Sequence, residues 1–222
     1  MRLTTAFAVA AALATGVVAA APTIGQPAPA FTAVDSKGAT VSLADFKGKF
    51  VVLEWTNDGC PFVQKHYSGG ADGNMQRLQR KARDKGAVWL SVISSAPGKQ
   101  GHVSGEQADA LSEQRGAVPT HVLLDESGEV GRLYEAKTTP HMFIVDPEGT
   151  LIYAGGIDSI PSADVDDIPK ATPYVELALT QAMAGEPVRH PLTKPYGCSI
   201  KYWVIPNLSG PELDVAPGLR SA

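Results

Sequence analysis

Cys60 occupies a position in the sequence, between an apolar run and a proline, that favours a reactive thiolate. It follows an apolar run at residues 50–55 and directly precedes Pro61. Proline is favoured at the first position of a helix because its missing N–H would be unpaired there in any case, so we predict that a helix begins here. The positive end of a helix stabilises a thiolate and lowers the pKa of a cysteine from ~8.5 to about 3.5–7.5. The preceding Asn57-Asp58-Gly59 loop argues against a buried, inert cysteine, and we expect a redox-active thiol.

Cys198 is the only other cysteine of the chain, and it follows Gly197 near the C-terminus. Two interpretations are open. Cys198 is either a mobile resolving thiol that attacks oxidised Cys60, or half of a permanent disulfide that fixes the C-terminal segment to the domain. The setting of Cys60 favours the first interpretation.

Basic side chains are candidates for tuning the pKa of Cys60. Lys65 and His66 follow it by one to two helical turns and either add positive potential or face solvent, and His141 is a third candidate. The five histidines show no His-x-x-x-His spacing and the cysteines no Cys-x-x-Cys spacing, so we predict no metal site and no cofactor. We expect solvated charges, rather than a calcium site, from four carboxylates in an irregular acidic loop: Asp158, Asp164, Asp166 and Asp167.

The elements that must position these residues follow from the hydrophobic periodicity. Strands are predicted at residues 31–34, 40–43, 50–55, 87–93, 122–124, 142–145 and 151–154, and helices at 74–86, 106–115, 129–135 and 174–184 besides the one at Cys60. Helices separate the early strands, which favours parallel crossovers, whereas the turn at residues 146–149 predicts an antiparallel hairpin. We therefore predict an α/β fold with a central mixed sheet flanked by helices and an extended C-terminal tail.

Residues 1–20 have the composition of a cleavable signal peptide. Arg2 is followed by an Ala/Val-rich run, and small residues precede a cut after Ala20. We expect a periplasmic or secreted protein, in a compartment where disulfides persist. No membrane span is expected in the mature form, because the apolar run is shorter than the roughly 20 residues that a comfortable span needs. The rest of the chain is predicted to consist of one domain at residues 21–185 and a tail at residues 186–222, which carries Cys198.

The charge of the chain excludes some classes of partner. The formal net charge is −4, and lysines and arginines are not clustered. A mildly acidic chain of this kind argues against a nucleic-acid partner and against an anionic membrane surface.

Two separated motifs resemble the thioredoxin superfamily, and more narrowly the redoxin branch related to alkyl-hydroperoxide reductases and peroxiredoxins. They are Cys60-Pro61-Phe62-Val63 after a strand, and Thr139-Pro140 before the run His141-Met-Phe-Ile-Val-Asp. The resemblance covers residues 24–184 and implies a thioredoxin-like (redoxin) domain. It also implies a cis peptide bond at Thr139-Pro140, beside the active cysteine, where the backbone of Thr139 would pair with an extended thiol substrate.

The chain departs from the family patterns at two places. Val63 stands where thioredoxins carry their second cysteine, so a resolving thiol must come from elsewhere. Peroxiredoxins have a Thr or Ser three residues before the active cysteine and a proline four residues earlier, and those positions are Asn57 and Leu53 here. Cys60 is therefore better described as a redox thiol than as a peroxidatic one.

We expect a thiol-dependent oxidoreductase, either a thiol-disulfide oxidoreductase or a peroxiredoxin-like antioxidant enzyme. In this hypothesis Cys60 attacks a disulfide or peroxide substrate, Cys198 resolves the product, and a separate reductant regenerates both thiols. The alternative is a non-enzymatic binding module for a metal or a protein partner, with Cys60–Cys198 as a structural disulfide.

Overall fold

The computed structural model describes residues 21–203, and nine β-strands are found there. They are β1 (Thr32–Asp35), β2 (Thr40–Ser42), β3 (Val51–Trp55), β4 (Val88–Ile93), β5 (His121–Leu124), β6 (Thr138–Thr139), β7 (His141–Val145), β8 (Leu151–Gly155) and β9 (Cys198–Ser199). Seven of them form one sheet in the order β2-β1-β5-β4-β3-β7-β8, and β6 pairs separately with β9.

The two central strands, β3 and β4, are buried along their whole length. Their sequences are nearly continuous apolar runs, as is typical of strands covered on both faces. Successive side chains of a strand point to opposite faces. Accordingly, Val52 and Trp89 belong to one hydrophobic core, and Leu53 and Leu90 belong to the other. The charged exception in β3 is Glu54, which is also fully buried.

The directions of the strands agree with the prediction from sequence. β3 pairs with β4, and β4 with β5, in parallel. β7 is antiparallel both to β3 and to β8, with the turn at residues 146–149 between β7 and β8. The sheet is therefore mixed, with an antiparallel pair at each edge, β7 with β8 at one and β1 with β2 at the other.

Helices cover both faces of the sheet. The part of the chain that the structure describes has five α-helices, α1 (Pro61–Tyr67), α2 (Asn74–Asp84), α3 (Gly105–Arg115), α4 (Glu129–Leu133) and α5 (Tyr174–Met183), and short 3-10 helices at Leu43–Phe46, Gly70–Asp72 and Val165–Lys170. Apolar residues of α1, α2 and α5 pack in the first core, and Val130 of α4 packs in the second. Ala108 of α3 packs with residues of β4 and β5.

The segment after α5 returns across the domain. The N–H of Ala154 donates to the carbonyl of Pro191 (2.9 Å), and the N–H of Thr193 donates to the carbonyl of Ala154 (3.0 Å). Farther on, Ser199 and Cys198 pair with Thr138 and Thr139 as the antiparallel strands β9 and β6. The tail is thus extended and packed against the domain.

The predicted thioredoxin-like α/β fold is confirmed. The proposed signal peptide at residues 1–20, and residues 204–222 of the tail, lie outside the described residues. Within residues 21–203 no helix combines the length and the apolar character needed to cross a membrane.

Candidate active site

Cys60 lies at the start of α1, as the sequence predicts. It is the N-cap residue, its backbone is extended (φ −90°, ψ 120°), and Pro61 is the first helical residue. The carbonyl of Cys60 accepts a hydrogen bond from the N–H of Val63 (3.0 Å). Val63, at the position where a local second cysteine would stand, is fully buried in the first core.

The loop before Cys60 is held in shape by Asn57. Its side-chain oxygen accepts a hydrogen bond from the N–H of Gly59 (2.9 Å), and its amide donates to the carbonyl of Gln100 (3.2 Å). The backbone carbonyl of Asn57 accepts the N–H of Cys60 (3.1 Å). The neighbouring hydroxyl of Thr56 is buried and has no hydrogen-bond partner within residues 21–203. Asn57 therefore has a structural function in the loop that presents Cys60.

The expectation that Cys60 is accessible is wrong, because its exposed fraction is 0%. Its thiol donates a hydrogen bond to the carbonyl of Thr139 (3.0 Å). The polar loop sequence predicted exposure, but β9 is paired with β6 beside the thiol and covers it. Burial here comes from a remote segment rather than from the local sequence.

Cys198 is in contact with Cys60, and both residues are free thiols. Burial alone would raise the pKa of Cys60. Hydrogen bonds from the side chains of Cys198 and Thr139, and from the N–H groups of Cys198 and Val63, outweigh it and lower that pKa. Burial and the hydrogen bond to Cys60 raise the pKa of Cys198 to about 11. The geometry thus favours a thiolate at Cys60 and a proton on Cys198.

Thr139 and Pro140 form the other side of the site. The Thr139-Pro140 peptide bond is cis, as the sequence predicts. Thr139 pairs in antiparallel register with Cys198. Gly197 (φ 133°) comes so close to the carbonyl of Thr139 that a side chain there would collide with it. The backbone position that we predicted for an extended substrate is therefore taken by the tail of the same chain.

Lys65 and His66 are buried, so the idea that either faces solvent is wrong. Nε2 of His66 is 3.2 Å from the hydroxyl of Tyr196, and Nζ of Lys65 is 3.8 Å from Oδ2 of Asp158. The prediction that Asp158 is a solvated loop charge is also wrong, because only 4% of this residue is exposed. The tail brings Tyr196 to these groups, and this contact explains the burial.

The other carboxylates of the acidic loop differ from Asp158. Asp164 and Asp166 are exposed, and Asp167 is partly exposed and lies 3.0 Å from the ammonium group of Lys170. They are thus solvated, as expected.

His141 lies next to the cis proline and is buried. Its Nδ1 accepts a hydrogen bond from the N–H of Lys137 (3.2 Å), and its ring packs on Phe143 with the centroids 4.5 Å apart. Burial, together with the charge of Lys137, lowers the pKa of His141 to about 3. His141 is therefore a neutral side chain of the interior at physiological pH, and its function in tuning Cys60 stays a prediction.

Glu54 is a buried ionisable residue that the sequence analysis did not single out. Its carboxylate accepts hydrogen bonds from the hydroxyl of Tyr67 (2.8 Å), from Nε1 of Trp89 (2.8 Å) and from the hydroxyl of Ser91 (3.1 Å). Burial raises the pKa of Glu54, although these donors oppose the shift. A lone acidic residue inside an apolar strand is the signal that could have identified it.

Tyr196 is the second residue that the sequence analysis missed. It has an exposed fraction of 9% and lies two positions before Cys198.

Within residues 21–203 no three His, Cys, Asp or Glu side chains are grouped closely enough to hold a metal ion. The site itself brings together two thiols of unequal pKa.

Comparisons with known proteins agree with this geometry. The model of the AhpC/TSA family matches residues 24–154. The thiol-disulfide oxidoreductase ResA of Bacillus thuringiensis is 26% identical over 129 residues, which cover 58% of this chain and 67% of ResA.

Solved structures extend the likeness to most of the chain. The crystal structure of an uncharacterized conserved protein from Geobacillus kaustophilus has a TM-score of 0.68 at 26% identity, over 82% of this chain and 93% of that one. A putative thiol:disulfide interchange protein DsbE from Chlorobium tepidum has a TM-score of 0.52 at 23% identity, over 73% of this chain and 99% of its own, and shows the shared fold.

Proposed function

The chain belongs to the AhpC/TSA family, and from that premise we propose a thiol-dependent oxidoreductase in which Cys60 is the attacking thiolate and Cys198 resolves the product. The observation that carries this proposal is the contact between the two thiols. The adjacent Cys198 lowers the pKa of Cys60, and burial together with Cys60 raises the pKa of Cys198. The thiolate is the nucleophile in thiol chemistry.

With a disulfide substrate, the thiolate of Cys60 attacks one sulfur and expels the other as a thiolate, which leaves a mixed disulfide. Cys198 then attacks the sulfur of Cys60 and expels the second substrate thiol. The products are two substrate thiols and a Cys60–Cys198 disulfide. A dithiol or two monothiols reduce that disulfide again by the same exchange.

With a hydroperoxide, Cys60 is oxidised to a sulfenic acid and the peroxide is reduced to water or an alcohol. Cys198 condenses with the sulfenic acid, and water leaves as the same Cys60–Cys198 disulfide forms. Both substrates therefore converge on one oxidised product. The relation to ResA favours the disulfide reaction.

The protonated state of Cys198 in the reduced protein is consistent with attack by Cys60 first and by Cys198 second. Burial and the hydrogen bond to Cys60 raise the pKa of Cys198 to about 11, so the reduced enzyme holds one nucleophile rather than two. Once Cys60 is part of a mixed disulfide, its negative charge is gone. Cys198 then loses its proton more readily and attacks the adjacent sulfur.

The test uses the reduced protein, one equivalent of oxidised glutathione, alkylation of the remaining thiols, and mass spectrometry. The unsubstituted protein should form an intramolecular Cys60–Cys198 disulfide. Cys198→Ser should stop at the mixed disulfide of Cys60 with glutathione, and Cys60→Ser should not react. The same three proteins, treated with hydrogen peroxide in place of oxidised glutathione, test whether a peroxide is also a substrate.

Two results would overturn the proposal. One is insulin-reduction or peroxide-consumption activity that persists in Cys60→Ser. The other is a redox potential of the Cys60–Cys198 pair below about −300 mV, since a pair of that potential behaves as a structural disulfide. The second result would favour the alternative of a non-enzymatic binding module.

We also propose that the protein is exported, on the composition of residues 1–20. The enzyme would then work in the periplasm or outside the cell, where a Cys60–Cys198 disulfide persists. Mass spectrometry of the protein recovered from its native host tests this. A mature N-terminus at Ala21 supports export, and an intact N-terminus with Arg2 in a cytoplasmic fraction contradicts it.

A further inference from the structure

The tail is attached to the domain just before Cys198 by the side chain of Tyr196. The hydroxyl of Tyr196 donates a hydrogen bond to Oδ1 of Asp158 (2.5 Å) and lies 3.2 Å from Nε2 of His66. We call this set, together with Lys65, the tail latch. Its four members have exposed fractions of 9% or less.

The hydrogen bonds of the tail latch have a defined direction. Arg77 donates to Oδ1 of Asn74 (2.7 Å), so Nδ2 of Asn74 is the atom that donates to Nδ1 of His66 (2.8 Å). Nδ1 is then an acceptor, and the imidazole proton is on Nε2, which donates to the oxygen of Tyr196. The hydroxyl proton of Tyr196 is thereby directed to Asp158. Burial lowers the pKa of His66 to about 3, which keeps the imidazole neutral and this direction unchanged at neutral pH.

The aromatic ring of Tyr196 also makes contacts with the domain. Phe62 packs edge-on against it, with centroids 5.9 Å apart at 67°. The ammonium group of Lys65 lies 5.8 Å from the ring centroid. Phe62, Lys65 and His66 all belong to α1, the helix that Cys60 caps. Tyr196 therefore connects the tail to the same helix that presents the attacking sulfur.

The connection from Tyr196 to Cys198 is short and tight. Gly197 is packed against the carbonyl of Thr139 in a conformation that favours glycine, and Cys198 pairs with Thr139 directly after it. A displacement of Tyr196 is therefore transmitted to Cys198 over two residues. The same displacement would free the backbone of Thr139.

We propose that Tyr196 is a positioning residue that sets the effective concentration of the Cys198 thiol at Cys60. The proposal rests on the function proposed above for the two cysteines. With the latch closed, the tail occupies the strand position at Thr139 and resolution by Cys198 is fast. With the latch open, resolution is slower, and Thr139 and Cys60 become accessible to an extended polypeptide disulfide.

The main experiment compares Tyr196→Phe and Tyr196→Ala with the unsubstituted protein. The measured quantity is the equilibrium constant for formation of the Cys60–Cys198 disulfide from glutathione disulfide, which reports the effective concentration of Cys198. A hydrogen bond to a charged, buried group is lost in Tyr196→Phe, so this constant should fall about tenfold. Tyr196→Ala also loses the ring contacts, and its constant should fall further.

Tyr134→Phe is the matched control, since its buried hydroxyl donates to the carbonyl of Pro29 (2.8 Å) rather than to a member of the tail latch. It removes a tyrosine hydroxyl bond of similar burial and should leave the constant unchanged. A second measurement, in a Cys198→Ser background, is the rate at which iodoacetamide alkylates Cys60. That rate should rise about tenfold with Tyr196→Phe and not with Tyr134→Phe.

The results of these measurements distinguish a failure of the proposed function from a failure of the positioning function of Tyr196. If the unsubstituted protein forms no Cys60–Cys198 disulfide, the proposed function fails. If it forms the disulfide, and Tyr196→Phe and Tyr196→Ala leave both the equilibrium constant and the alkylation rate unchanged, only the positioning function of Tyr196 fails. Equal effects in Tyr134→Phe would show a general loss of stability and would also overturn it.

Discussion

The thiol of Cys60 is subject to opposing influences on its pKa. Burial favours the neutral thiol, and the carbonyl of Thr139 accepts its proton. The donors around the sulfur, first among them Cys198, favour the thiolate and prevail. A buried cysteine is inert only where such donors are lacking, so burial and reactivity are compatible at this position.

The contribution of Cys198 can be isolated by substitution. Cys198→Ala removes the side-chain donor, and the pKa of Cys60 should therefore rise. Cys198→Ser keeps an O–H donor and should raise it less. Titration of the thiolate by its ultraviolet absorbance measures both variants. An unchanged pKa in Cys198→Ala would contradict the assignment of Cys198 as the main donor.

At the scale of elements, the short ladder between β6 and β9 lies beside the thiol of Cys60. It has two residue pairs, Thr138 with Ser199 and Thr139 with Cys198. Additional bonds support it on the C-terminal side, where the N–H of Ile200 donates to the carbonyl of Lys137 (3.1 Å). A ladder this short depends on the fit of each residue, which is the reason that Gly197 matters.

Gly197→Ala should release β9 from β6. The new methyl group would collide with the carbonyl of Thr139, and the φ of 133° is unfavourable for alanine. Alkylation of Cys60 in the reduced protein should become faster, while the cooperative unfolding of the domain persists.

Gly185→Ala is the matched control for this substitution. Gly185 also has a positive φ (73°), but no neighbouring atom would be within 4 Å of an added Cβ. It introduces backbone strain without the collision, and Cys60 should stay protected. If Cys60 is alkylated equally slowly in Gly197→Ala and in Gly185→Ala, β9 does not cover the thiol.

At the scale of the whole molecule, two imidazoles are buried without a charge. The pKa values of His66 and His141 are each lowered to about 3, mainly by burial. An unfolded histidine has a pKa of about 6.5. Between these values the unfolded chain binds more protons than the folded one, so folding stability is complete above pH 6.5 and is lost as the pH falls towards 3.

This difference predicts a loss of stability in acid. Each buried histidine should lower the free energy of unfolding by about 2 kcal/mol between pH 7 and pH 5, at about 1.4 kcal/mol per pH unit below 6.5. Urea unfolding at the two pH values measures it. His141→Gln should reduce the difference by that amount, and His190→Gln, at an exposed position, should not. A pH dependence unchanged in His141→Gln would contradict the assignment.

The sequence by itself determined the order of the seven strands of the main sheet and of the α-helices, the start of α1 at Cys60 and the cis bond before Pro140, but not the short strands β6 and β9. The features that it determined depend on local patterns: hydrophobic periodicity, a proline after the cysteine, and the Thr-Pro motif of the redoxin resemblance.

Only the tertiary structure decided that Cys60 is buried and that Asp158, Lys65 and His66 form an interior cluster. Both results depend on contacts between remote residues, such as His66 with Tyr196, which are 130 positions apart. A loop sequence shows that a residue is polar, but not whether a distant strand will cover it. Here the tail supplies that strand, and with it a second thiol for Cys60.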